Sequence, residues 1–117
     1  IAQSIGDSFA RVKEKPAYKS EYELHHLVAK KAKNARYARS VLESVGIGVN
    51  DPENLLLIKT GLHRRLHTDT YYGWANSVVI SAYESAGGDK ELQRKYVLAA
   101  LETIRAFVLM LNTQAPY

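Results

Sequence analysis

Residues 55–67 read LLLIKTGLHRRLH, and the way this stretch folds decides the rest of the chain. Leu55 to Ile58 is a four-residue apolar run with turn residues before it, too short for a helix, so it reads as a buried strand. Thr60 is then placed to cap a helix that begins near Leu62. On such a helix His63 and His67 lie four residues apart and project side by side, a spacing that can hold a divalent metal. Helices meet this spacing by chance often, so the pair alone carries little. Two partly exposed surface histidines would look the same.

What raises its weight is upstream. The chain has four histidines, and the other two are the doublet His25-His26 inside YKSEYELHHLV, residues 18–28. That segment alternates weakly, with Tyr18, Tyr22 and Leu24 among polar residues, and reads as extended. Adjacent residues of an extended segment face opposite ways, so one imidazole of the doublet can ligate a metal while the other faces a substrate.

The remaining pattern is helical. AKKAKNARYARSVLESVG, residues 29–46, repeats apolar positions at three-to-four spacing and predicts a helix stopped by Gly46. GIGVNDPEN, residues 46–54, is turn chemistry, with Asn50-Asp51-Pro52 as the bend. A helix from Asp69 to Ala86 should bury Tyr72, Ala75, Val79, Ala82 and Tyr83, ending at Gly87-Gly88. Asp89 should cap a last helix reaching about Leu111, its stripe formed by Leu92, Tyr96, Ala99, Ala100, Thr103, Phe107 and Met110 or Leu111. Residues 1–15 predict a short helix stopped by Pro16. The aromatics of the last two helices fit core packing better than base stacking.

Composition bounds the function. A length of 117 residues, 46% of them hydrophobic, suits one domain with a real core. The absence of cysteine excludes disulfides, thiolate metal sites and cysteine nucleophiles. No apolar run approaches 18 residues and no signal layout is visible, so neither a membrane span nor a targeting segment is expected. A chain that opens on Ile1 suggests a piece of a longer protein. The net charge of +4 is lopsided: residues 1–39 hold nine Lys/Arg against four acids, +5, which leaves −1 for the other 78. A basic face fits a polyanion such as nucleic acid, or else is simply a solvated helix surface.

A strand bearing a histidine doublet, an asparagine-rich turn, a second strand and a helix with H-x3-H together describe a ββα-metal nuclease site. The motifs ELHHL…NDPENLLLI…LHRRLHTDTYYGWAN carry a resemblance, over residues 23–83, to the AHH/LHH branch of the HNH/endonuclease VII superfamily, found as C-terminal toxin domains of bacterial polymorphic and contact-dependent inhibition toxins. The steps of nine residues from Asn54 to His63 and four to His67, and the glutamate two residues before the doublet, agree with colicin-type relatives. Two features depart from the pattern: Leu24 stands where the AHH signature has alanine, and the stretch from doublet to asparagine is longer.

The resemblance implies an α+β, mostly helical fold over a single domain, residues 1–117. A small ββα-metal core would span about 22–68, and packed C-terminal helices about 69–112. It implies a metal-dependent endonuclease that favours DNA, with an RNase or tRNase as the alternative. His26 would be the general base, because an imidazole titrates near neutrality. Asn54 would hydrogen-bond His26 and fix its tautomer. His25, His63 and His67 would hold one divalent ion; three imidazoles prefer Zn, Ni, Co or Mn, while Mg could still support activity. Arg36, Arg39, Arg64 and Arg65 would clamp phosphates, and Lys19 and Glu23 would tune the site. The partners implied are nucleic acid and an acidic cognate immunity protein, for a domain delivered as part of a larger toxin into the target-cell cytoplasm. The competing possibility is a non-catalytic nucleic-acid-binding module in which all four histidines close around a structural zinc.

Overall fold

A computed structural model describes residues 21–116. The expected helix over 1–15, and Lys19, lie outside the described residues. Along the described chain run strand β1 (Tyr22–His26), a 3-10 turn (Lys33–Ala35), helix α1 (Arg36–Ser44), a second 3-10 turn (Pro52–Asn54) and strand β2 (Leu55–Lys59). Helices α2 (Thr60–Arg65), α3 (Asp69–Ser85) and α4 (Lys90–Gln114) follow. The fold is α+β and mostly helical, as expected.

β1 and β2 pair antiparallel with Leu24 opposite Leu57 and His25 opposite Leu56. Alternation along β1 sends His25 inward, 2% exposed, and leaves Tyr22 and Leu24 about half exposed. The apolar run of β2 is a strand, but only Ile58 of the four is fully buried, and Leu57 is 60% exposed. A two-stranded sheet covered by helices on one face has room for only one inward side chain in two. Helix α2 leaves β2 without a loop. It starts at Thr60 with Lys59 as the preceding cap residue and no side-chain cap, so Thr60 is the first helical residue and not the N-cap.

Helix α1 begins seven residues later than its periodicity suggests. Residues 29–32 are held in a loop by distant side chains that satisfy the backbone in place of helical bonds. Arg39 Nη1 donates to the carbonyls of Ala29 and Ala32 at 2.9 and 2.7 Å. Asn76 Oδ1, from α3, accepts from the Ala38 amide near the start of α1. At the other end Gly46 adopts φ +79°, the Gly46 amide bonds Glu43 O, and the Ile47 amide bonds Leu42 O. Leu42 and Ile47 are both buried beside this glycine stop.

Helices α3 and α4 form an antiparallel hairpin turned by Gly87 (φ +61°) and Gly88 (φ +90°). The Asp89 side chain caps α4 by accepting from the Leu92 amide. The buried stripe of α4 is Val97, Ala100, Leu101, Ile104, Val108 and Leu111, rotated from the expected one, and Leu92 and Met110 are exposed. On α3 the fully buried aromatic is Tyr71, with Tyr72 only half-buried. Both helices carry apolar residues on several sides, so periodicity alone leaves the phase open; contact with the sheet and with each other sets it. Trp74 and Phe107 pack edge to face at 4.9 Å between ring centres, as core. By length and composition α4 would also suffice to cross a membrane, but a third of that stretch is buried against the rest of the fold, and core helices pass the same test.

α4 also braces the ββα unit. Arg105 donates to the carbonyls of Leu55 (2.8 Å), Glu53 (3.0 Å) and Pro52 (3.3 Å). Lys59 is tied at both ends, its amide to Asn112 Oδ1 and its Nζ to Ala115 O. The turn before β2 is therefore fixed from outside the core motif.

Candidate metal centre and nuclease site

The inner face of β1 looks onto α2 and the start of α3, and three histidines meet there. His25, His63 and His67 each offer one ring nitrogen, and these atoms lie within 4.8 Å of one another. His63 projects from α2, and His67 lies just past its end at Arg65 rather than on the helix expected to carry both, yet their ring centres are 4.6 Å apart and their Nε2 atoms 3.0 Å apart. His25 closes the group from the strand, 5.5 Å from the His63 ring centre.

The electrostatics disfavour the protonated forms of His25 and His67. Burial first, and then the neighbouring histidines, push His25 down to about 3. His67 is lowered as well, by burial and by His63. Glu23, on the same inward side of β1, accepts from His63 Nδ1 at 3.0 Å, and this bond is the main reason its carboxyl titrates below the ordinary range. With its proton on Nδ1, His63 presents a lone pair at Nε2, toward His67. A carboxylate behind a histidine in this manner orients a metal ligand and makes it more basic. Neutral imidazoles converging through lone pairs suit a borderline transition ion, so the residues present fit one.

His26 leaves on the opposite face of β1, half-buried, with Nε2 2.8 Å from Asn50 Oδ1. The doublet therefore divides as its extended backbone requires, one ring into the cluster and one outward.

Asn54 is placed differently from expectation. It is fully buried. Its Oδ1 accepts from the Val28 amide at 2.8 Å, and its Nδ2 donates to Val28 O and Val49 O at 3.1 and 2.9 Å. All three contacts are backbone, so the expected bond from Asn54 to His26 is not made; Asn50 makes it. Asn54 instead staples the chain just after β1 to the turn before β2, and its own carbonyl accepts from Leu27 N at 2.8 Å.

The arginines separate in the same way. Arg64 and Arg65 are exposed on α2 beside the cluster, and Arg64 reaches Glu23 Oε2 at 3.2 Å. Arg36 is exposed and lies 5.3 Å from the Tyr37 ring centre. Arg39 has its Nη1 committed to two carbonyls and serves the loop before α1. Two residues were missed. Asn50 was legible only as part of the turn, four residues from the asparagine that fits the motif spacing. Tyr71, whose hydroxyl is 2.9 Å from His25 Nε2, sits 46 residues away and has no local signal.

No curated protein and no solved structure matches the chain. A family model does match, across residues 8–108: a nuclease family of the HNH/endonuclease VII superfamily with a conserved AHH. Within the matched residues, Leu24-His25-His26 has a histidine doublet like that of the signature, with leucine where the signature has alanine. The match spans both strands, the histidine-bearing helix α2 and most of α4, and it includes the three clustered histidines and His26. The chain belongs to the AHH nuclease family of the HNH/endonuclease VII superfamily.

Proposed function

We propose that this nuclease is a metal-dependent endonuclease that hydrolyses phosphodiester bonds, with DNA the favoured substrate. The observation that carries this is the convergence of His25, His63 and His67 with His26 on the adjoining strand position. A divalent ion held there would act as a Lewis acid on the scissile phosphate.

The chain's own residues do the rest. His25, His63 and His67 hold the ion, and Glu23 fixes the orientation of His63. His26 is the general base. Asn50 Oδ1 is an acceptor only, so it takes the Nε2 proton of His26 and leaves Nδ1 as the atom that accepts the water proton. Arg65, and Arg64 when drawn from Glu23, bind backbone phosphate, with Arg36 further along the surface. A closed four-histidine zinc site is disfavoured because His26 turns away from the cluster to Asn50.

We further propose that the domain is the antibacterial toxin module of a larger bacterial protein, acts in the target-cell cytoplasm, and is restrained in the producing cell by an acidic immunity protein. The basic charge of residues 1–39 supports such a partner.

Incubation of the purified domain with plasmid DNA and with total RNA, with and without EDTA, tests the activity. EDTA-sensitive nicking of plasmid is expected. EDTA-sensitive loss of RNA alone would reassign the substrate, and cleavage unaffected by EDTA would remove the metal from the mechanism.

A further inference from the structure

Tyr71 is the largest fully buried side chain among the described residues, and the reaction outlined above makes no use of it. It stands in the first turn of α3. Its hydroxyl has one proton and two polar neighbours. One is the Leu27 carbonyl at 2.8 Å, which can only accept, so the phenol proton goes there. The other is His25 Nε2 at 2.9 Å. With its proton committed, the phenol oxygen can only accept from that nitrogen, and Nε2 must carry a hydrogen. A neutral imidazole has a single N–H, so its lone pair is then on Nδ1.

We propose that Tyr71 is a positioning residue that locks His25 in the Nε2–H tautomer and makes Nδ1 its metal-binding atom. This rests on the metal centre proposed above. It gives the site a definite donor set: Nδ1 from His25, Nε2 from His63 and Nε2 from His67. His25 and His63 are thereby held in opposite tautomers by two devices suited to their surroundings. His63 is partly exposed and has a carboxylate, Glu23, behind it. His25 is 2% exposed, where a second carboxylate would bring an expensive buried charge and a neutral phenol does not. The Leu27 carbonyl lies two residues beyond His25, so Tyr71 also ties the ring's orientation to the backbone that carries it.

The test has two arms, and neither depends on cleavage. Nitrogen-15 NMR of the metal-free wild type should show the His25 proton on Nε2, and added zinc should move the His25 Nδ1 resonance. Titration calorimetry should show zinc affinity about 10–100-fold weaker in Tyr71→Phe, the usual effect of losing a ligand's outer partner. The d–d absorption of bound Co(II) should change in that variant. If Tyr71→Phe does not fold, the wild-type spectra decide. A His25 proton on Nδ1, zinc bound through Nε2, or unchanged affinity and cobalt spectrum in Tyr71→Phe would overturn the assignment while leaving the metal centre standing. A wild type that binds no zinc would overturn both.

Discussion

Replacing Asn54 by alanine should unfold the protein more readily rather than damage its chemistry directly. The side chain is fully buried and makes three bonds to backbone: Val28 N at 2.8 Å, Val28 O at 3.1 Å and Val49 O at 2.9 Å. Val28 is 1% exposed, so alanine leaves its N–H and C=O without partners and out of reach of water, while the half-buried Val49 carbonyl can be hydrated. An orphaned buried group costs roughly 1–3 kcal/mol, so two give about 2–6 kcal/mol. That is a large share of the ~5–15 kcal/mol that holds a domain together. At roughly 4–8 °C per kcal/mol for about 100 residues, Tm should fall by at least ~8 °C. Thermal melts of the metal-free protein read this, and cleavage at low temperature shows whether the folded fraction still works. The companion Asn50→Ala removes an exposed contact and should leave Tm within a few degrees. It should lower kcat about 10–100-fold with KM little changed, because His26 loses the partner that fixes its tautomer. Unchanged Tm in Asn54→Ala with cleavage lost would refute this division of labour and return Asn54 to the catalytic role the motif spacing suggests.

The metal-free protein should lose stability as pH falls from about 6.5 toward 3, because the unfolded chain takes up the His25 proton near 6.5 and the fold resists it down to about 3. At roughly 1.4 kcal/mol per pH unit the loss is on the order of 5 kcal/mol, and Glu23, also lowered on folding, adds to it below 4.5. Urea melts between pH 7.5 and 4 measure this, and a flat profile would mean that His25 is already solvated. In His63→Ala the added stability conferred by zinc, about 2.7 kcal/mol at a hundredfold excess over Kd, should vanish, as differential scanning fluorimetry with and without zinc can show. The immunity partner proposed above should carry negative net charge, and its association rate should fall steeply with salt. A basic inhibitor with salt-independent binding would show that the charge asymmetry plays no part.

The parts legible in sequence were those governed by local geometry. Period-two alternation separates His25 from His26, and the four-residue spacing brings His67 beside His63 even though α2 ends at Arg65. The glycine stop at Gly46 and the Asp89 cap are equally local. Where distant side chains take over the backbone, the pattern misleads. Residues 29–35 have helical periodicity, yet Arg39 satisfies the carbonyls of Ala29 and Ala32 and keeps the first of these residues in a loop. Asn50 and Asn54 illustrate the same limit at the site. Both fall in one turn, and only the way Arg105, Val28 and Val49 fix that turn decides which amide is buried and which meets His26. Tyr71 reaches His25 only because the first turn of α3 comes to lie beside the end of β1.

Metal re-addition to wild type and His26→Ala tests the central claim most directly. Both proteins are stripped with EDTA, then titrated with Zn, Ni, Co, Mn or Mg while metal binding and plasmid nicking are measured in parallel. The wild type should regain nicking with at least one of these ions. His26→Ala should bind zinc as tightly as wild type yet nick roughly 10²–10⁴-fold more slowly, because its ring is the base and not a ligand. Loss of zinc binding in His26→Ala, or undiminished nicking by it, would contradict the assignment of the doublet on which the account rests.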